Sequence, residues 1–248
     1  MQIIKRLEYK YFVPYERLDA LRRRFLAGMQ HDDFSRRMTA SRYTVRSIYY
    51  DTPNFRFYHE KLQSVKNRKK LRIRTYNQPA ADSPAFFEIK HKFGNVIYKE
   101  RMKVPLDDAP ALLEDGEALK ITELPAADRT ILNKFFLLFD KLILEPKVLV
   151  TYEREALQGL DDQRLRVTFD LNTRSYAYPE WQDLFREDDL NAINDNCFIL
   201  EIKFDEWMPF WVQRIVSDYD LHRQSISKYC KGLEEWLSLK HGRRGWKI

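Results

Sequence analysis

Apolar and polar positions alternate with a period of two in eight short segments: 5–13, 43–50, 69–77, 85–92, 96–104, 147–154, 164–171 and 198–204. That period predicts β-strands with one dry face. Elsewhere the spacing becomes helical. In 15–28, Leu18, Leu21, Phe25 and Leu26 share one side and Gly28 marks the end. Residues 55–63 predict a short helix, and 106–120 and 124–142 two more, with Ile131, Leu132, Phe135, Phe136, Leu138 and Phe139 as an apolar face. Two helices are expected between Trp207 and Leu239, the aromatic stripe Trp207, Phe210 and Trp211 packing inward. Residues 77–84 predict a loop, 174–196 an irregular stretch, and Gly94-Asn95 the turn of a hairpin. Hairpins outnumber strand–helix–strand units, so the sheet should be antiparallel. Eight strands suffice to close a barrel wide enough for one ligand, and closure removes edges. The expected fold is α+β: an eight-stranded antiparallel closed β-barrel, with helices packed outside and at the C-terminus, in one domain over 1–248.

Charge sharpens this picture. Side chains two apart on a strand share a face. Glutamate precedes lysine by two in Glu8/Lys10, Glu88/Lys90 and Glu201/Lys203, and cations repeat the spacing in Arg72/Arg74, Arg164/Arg166 and Lys99/Arg101, as does Tyr152 before Arg154. A dry core would expel such ions. The candidate cation face is Lys10, Arg72, Arg74, Lys90, Lys99, Arg101, Arg154, Arg166, Lys203 and Lys228, lining a wet cavity with a polyanionic guest. Arginine grips phosphate with a planar fork and lysine acts as a movable point charge. The plain alternative is a solvated face of cross-strand salt bridges. Glu8, Glu88 and Glu201 either pair with those cations or hold Mg²⁺ or Mn²⁺, hard ions that take carboxylate, phosphate and water oxygens.

The 248 residues hold 43 Lys and Arg against 37 Asp and Glu, a formal net charge of +6 and a pI near 9.1. That favours nucleic acid, an anionic membrane surface or a phosphorylated ligand as partner. The NRKK run at 67–70 is the feature nearest to a nucleic-acid signal. Single-strand binders interleave aromatics with cations on an open face; here the aromatics alternate away from the cations, so no nucleic acid is expected. Cys197 and Cys230 form no CxxC and are expected as buried free thiols. The start shows no secretory signal pattern, and no run is long enough to span a bilayer, so a cytoplasmic setting is expected. His31, His59, His91, His222 and His241 form no HExxH, and neither a Walker P-loop nor a GxGxxG occurs. The basic end, KHGRRGWKI, is expected to be a solvated tail.

LEYKYFV, KLRIRTY, FEIK with KERMKV, TYER, RLRVTFD, LEIKF and SISKY follow one another over residues 4–236. In that order they resemble the polyphosphate polymerase domain of the vacuolar transporter chaperone, a triphosphate tunnel metalloenzyme. The resemblance implies a tunnel fold and transfer of the ATP γ-phosphate onto a polyphosphate chain with Mn²⁺ or Mg²⁺. It implies Lys10, Arg72, Arg74, Lys90, Arg154, Arg166 and Lys228 as phosphate contacts, Lys99 and Arg101 as further tunnel cations, Tyr152 facing phosphate, and Glu201 as the metal carboxylate; Lys203, from the charge pattern, is expected to join the substrate-binding set. Two positions depart from the pattern. Arg6 replaces the first glutamate of the superfamily's Glu-x-Glu-x-Lys opening, which disfavours a simple triphosphatase site. Ser225 stands where a substrate-contacting lysine is expected, with Arg223 close by. No inositol-phosphate sensor or membrane-spanning domain is attached, so regulation and translocation would come from other proteins, membrane partners included. Hydrolysis of triphosphate, or polyphosphate binding without chemistry, are the alternatives.

Overall fold

The computed structural model describes residues 6–80, 82–94, 96–115 and 124–240. Asn95 of the hairpin turn, the end of the helix expected over 106–120, His241 and the basic tail lie outside them. The elements run β1 (Arg6–Pro14), α1 (Leu18–Leu26), β2 (Met29–His31), α2 (Asp33–Arg36), β3 (Tyr43–Asp51) and α3 (Arg56–Leu62). Next come β4 (Asn67–Tyr76), β5 (Pro84–Phe93), β6 (Val96–Pro105), α4 (Ala109–Asp115) and α5 (Ala126–Lys141). The remainder is β7 (Glu145–Gly159), β8 (Arg166–Ala177), β9 (Asn191–Ala192), β10 (Cys197–Asp205), α6 (Phe210–Asp218) and α7 (Lys228–Lys240).

The chain divides into two compact units, the first comprising residues 1–44, 152–173 and 192–227, the second the rest. β7 and β8 contribute to both. In the first unit the sheet order is β1-β10-β8-β7, with β2 added to the end of β7. Its core gathers Tyr11, Val13, Phe169, Leu200 and Ile202 from the sheet, Leu21 and Phe25 from α1, and Val212 and Ile215 from α6. Leu21 and Phe25 are one helical turn apart, so α1 turns a single stripe to the sheet. In the second unit the order is β7-β3-β4-β5-β6. There α5 lays Leu132 and Phe135 on Leu71, Ile73, Phe87 and Ile89, the Phe87 and Phe135 rings meeting edge-on at 5.1 Å.

The sheet is antiparallel, as expected, but it is not a closed barrel. Its path ends at β1 and at β6, and no ladder among the described residues joins those ends. The β1 edge is used otherwise: the segment after α6 lies along it, with the Gln224 amide donating to the Lys10 carbonyl at 2.8 Å. The β6 edge carries Lys99, Arg101 and Lys103 and ends at Pro105, the usual protection of an unpaired strand.

Other expectations shift for local reasons. β8 extends past its expected end at 171 to Ala177, entering the start of the stretch read as irregular, with Thr173 and Ser175 buried in place of apolar residues. Ser175 is covered by α7 at Gly232, where a Cβ would lie 2.9 Å from both the Ser175 Cβ and Val148 Cγ1. β7 continues past residue 154 because β2 pairs with it. Gly94 takes φ +58 between Phe93 and Val96, which are register partners, so the hairpin has the expected two-residue turn. Trp211 packs on Phe25 at 6.3 Å, but Trp207 and Phe210 are 82% and 78% exposed, contrary to the inward stripe. They precede and open α6, before its buried positions Val212 and Ile215 begin. Neither cysteine forms a disulfide; Cys230 is buried and Cys197 only partly so.

Candidate functional site: two charged sheet faces

Strand alternation puts most of the expected charged side chains of each unit on one face, opposite the core, while Glu100, Arg46 and Glu155 point to the other face. In the second unit the ladder registers stack them in rows. Lys70, Lys90 and Lys99 stand directly opposite one another, as do Arg72, Glu88 and Arg101. Arg74 follows beside Ser47 of β3 and Phe86 of β5. Glu88, 1% exposed, is the anionic centre. Its carboxylate accepts from Arg72 Nε at 2.6 Å and Lys99 Nζ at 3.1 Å, with Arg101 Nε at 3.4 Å. Burial opposes its ionisation, but Arg72, Arg74 and Lys99 overcome that and hold it far below the usual carboxylate range. The Arg101 guanidinium lies 3.4 Å from the Phe86 ring centroid, and Arg74 donates to Ser47 Oγ at 3.0 Å. Lys228 is buried at the start of α7.

Tyr49 of β3 completes this face. Its hydroxyl accepts from Arg72 Nη1 at 2.9 Å, and its ring stacks on Tyr229 at 5.6 Å. Tyr229 in turn donates to Asp51, which also accepts from the Phe57 and Tyr58 amides opening α3. Burial would raise the Tyr49 pKa, yet Arg72, Arg74, Lys70 and Lys228 together lower it to about 7. We expect a tyrosinate absorbance titrating near pH 7 in the wild type and missing in Tyr49→Phe. A folded pKa below the ordinary 10.0 means that this group's stabilisation is complete above pH 10.0 and is lost as pH falls through about 7. Triphosphate should move the titration upward by supplying anions to the same cations; an unmoved titration would count against phosphate binding here.

The first unit has its own charged face. Glu8 faces Lys203, and Lys10 faces Glu201, across β1 and β10. Lys203 and Glu201 in turn face Arg166 and Thr168 across β10 and β8. Lys10 Nζ lies 2.7 Å from Glu8 and 3.7 Å from Glu201, and Lys203 Nζ 2.5 Å from Glu201. Arg154 forks onto Asp170, Nε at 2.6 Å and Nη2 at 2.8 Å, and approaches Glu201 at 4.0 Å. Burial would lower the Arg154 pKa, but Asp170, Tyr152 and Glu201 raise it well above its ordinary value. Its guanidinium lies 5.2 Å from the buried Tyr152 ring. Arg166 pairs with Asp32 at 2.7 Å. Ser225 is exposed in the segment after α6, while Arg223 sits over the Tyr9 ring at 3.9 Å. Among the described residues, no three His, Cys, Asp or Glu side chains gather into a metal-ready group.

Each unit thus unites its share of the expected residues. Glu8, Lys10, Tyr152, Arg154, Arg166, Glu201 and Lys203 fall in the first; Arg72, Arg74, Glu88, Lys90, Lys99, Arg101 and Lys228 fall in the second. Sequence reasoning missed Lys70, Asp170, Asp32 and Tyr49. Lys70 and Asp170 keep the two-residue spacing from Arg72 and Thr168 and were legible; Asp32 and Tyr49 carry no such signal. The expected separation of aromatics from cations does not hold either, since Tyr49, Phe86 and Tyr152 lie on the charged faces. Tyr49 and Tyr152 are sealed from solvent, so they offer no open platform for bases.

An antiparallel sheet backed by helices and bearing arrays of fixed cations defines a class of α+β protein suited to anionic ligands. The family model for the VTC domain matches residues 5–237, and the chain belongs to that family. The VTC domain is the polyphosphate polymerase domain of the tunnel-fold superfamily, which ties this chain to polyphosphate. Comparison with curated proteins finds no match. Among solved structures, the chain is similar to the PH1819 protein from Pyrococcus horikoshii OT3, at 15% identity over 95% of this chain and 99% of that one, with a TM-score of 0.48. It is also similar to a chain of the Schizosaccharomyces pombe Mediator head module, at 11% identity, 87% and 90% coverage and a TM-score of 0.40. Among the described residues no helix is long and apolar enough to cross a membrane.

Proposed function

We propose that the protein is a metal-dependent polyphosphate polymerase that transfers the ATP γ-phosphate onto a growing polyphosphate chain. The supporting observation is the row of Lys70, Lys90 and Lys99. The three ammonium groups stand in register across β4, β5 and β6, so a polyanion could bridge them and add to the compensation that Glu88 gives at Lys99. The arginines beside them, Arg72 and Arg74, supply forks that match phosphate. Arg154, held by Asp170 and Tyr152, keeps a fixed orientation, so positioning and electrostatics can lower the barrier without a covalent nucleophile.

Glu201 and Glu8 fit a hard divalent ion. They lie on neighbouring strands around a shared lysine, and Mg²⁺ or Mn²⁺ needs only one or two carboxylates beside phosphate oxygens and water. Such an ion would neutralise charge on the transferring phosphoryl group. Glu88 suits that task less, because two of its three cation partners are arginines, whereas the nearest partners of Glu201 and Glu8 are the mobile lysines Lys203 and Lys10; we assign Glu88 to ordering Arg72, Lys99 and Arg101. The experiment is direct: purified protein, ATP and Mn²⁺, with long-chain polyphosphate as the readout. Chain growth in the wild type supports the proposal. Orthophosphate release without chain growth would make the protein a triphosphatase, and tight triphosphate binding without turnover would make it a binding module.

A further inference from the structure

We propose that Thr168 is a positioning residue for Glu201, its hydroxyl engaging that carboxylate when an anionic ligand draws the lysines away. The proposal deepens the polyphosphate reading above and rests on it. Thr168 sits mid-β8 as the register partner of Glu201, so their Cβ atoms are about 5 Å apart. It is 3% exposed, and its Oγ1 is buried without a hydrogen-bond partner among the described residues. Its same-face neighbours are committed elsewhere, Arg166 to Asp32 and Asp170 to Arg154.

A buried hydroxyl without a partner costs stability, and valine would give the same branched shape without that cost. The hydroxyl is therefore available to a state in which it is used. Glu201 is approached by Lys203, Lys10 and Arg154. Lysine ammonium groups are mobile and follow phosphate oxygens, whereas Arg154 is forked onto Asp170. As the lysines turn to phosphate, the Glu201 carboxylate needs a donor fixed to the sheet. The Thr168 hydroxyl rotates freely and is adjacent. Held by it, Glu201 keeps the orientation that a divalent ion requires of a carboxylate.

Calorimetric titration with triphosphate, with and without Mn²⁺, and thermal melting of the ligand-free protein test this on Thr168→Val and Thr168→Ser. Thr168→Val should melt at or above the wild-type temperature without ligand, yet lose about tenfold or more of the Mn²⁺-dependent affinity. Thr168→Ser should restore that affinity. Wild-type binding by Thr168→Val overturns the proposal. So does a joint loss of melting temperature and affinity that serine does not repair, since the hydroxyl would then serve the fold. Absence of triphosphate binding by the wild type would overturn the functional reading as well, which separates the two failures.

Discussion

Glu88→Gln should lower the unfolding free energy by about 3 kcal/mol at neutral pH, with a fall in the urea midpoint and little change in slope. Glu88 is almost wholly buried and balances Arg72, Lys99 and Arg101, with Arg74 also within electrostatic reach. Removing its charge leaves these cations facing one another. The effect belongs at the lower end of the range for broken buried pairs, because Lys99 and Arg101 are 41% and 33% exposed and water screens part of the repulsion. The pH dependence follows from the sign of the shift. A carboxylate whose folded pKa is depressed contributes in full above its unfolded value, and that contribution fades as pH falls toward the folded one. The gap between wild type and Glu88→Gln should therefore hold near neutrality and narrow below the ordinary carboxylate value of 4.5. Triphosphate should stabilise the variant more than the wild type, since the ligand supplies the missing anion. A variant as stable as the wild type at pH 7 would refute the central place given to Glu88.

Glu201→Gln should cut polyphosphate formation by about 100-fold or more while leaving the protein folded. Glutamine keeps the shape and removes one negative charge from the set formed with Lys10, Lys203 and Arg154. Metal-free triphosphate should bind the variant at least as tightly as the wild type, because the face becomes more positive. Loss of turnover without loss of anion binding distinguishes a metal carboxylate from a counter-ion. If turnover is unchanged, Glu201 serves only to pair lysines and the catalytic reading fails.

Particular residues show how far the sequence carried the fold and the site. The shared face of Glu8 and Lys10, and of Glu201 and Lys203, was within reach because parity along a strand is a property of the chain itself: residue i and residue i+2 share a face wherever the strand goes. The same rule placed Arg72 with Arg74 and Arg154 with Tyr152. It could not reveal that Asp32, in a short turn before α2, would come back to Arg166, because that contact spans distant parts of the chain. Nor could it show Tyr49 among cations, since a tyrosine in an aromatic strand reads as core. Ser175 and Thr173 concealed half of β8 because small polar residues break the apolar alternation, and the close approach of α7 at Gly232 explains the burial of Ser175.

The sequence alone determined the eight long strands and the helices other than α2, the antiparallel habit and the concentration of cations on one side of most strands, because local periodicity follows from backbone geometry; the short β2, α2 and β9 carried no such period. Tertiary structure alone decided that the sheet keeps two ends, which carboxylate neutralises which cation, and which aromatics are sealed beside charge. Those outcomes depend on register and on competition among distant partners, and no short stretch of chain encodes either.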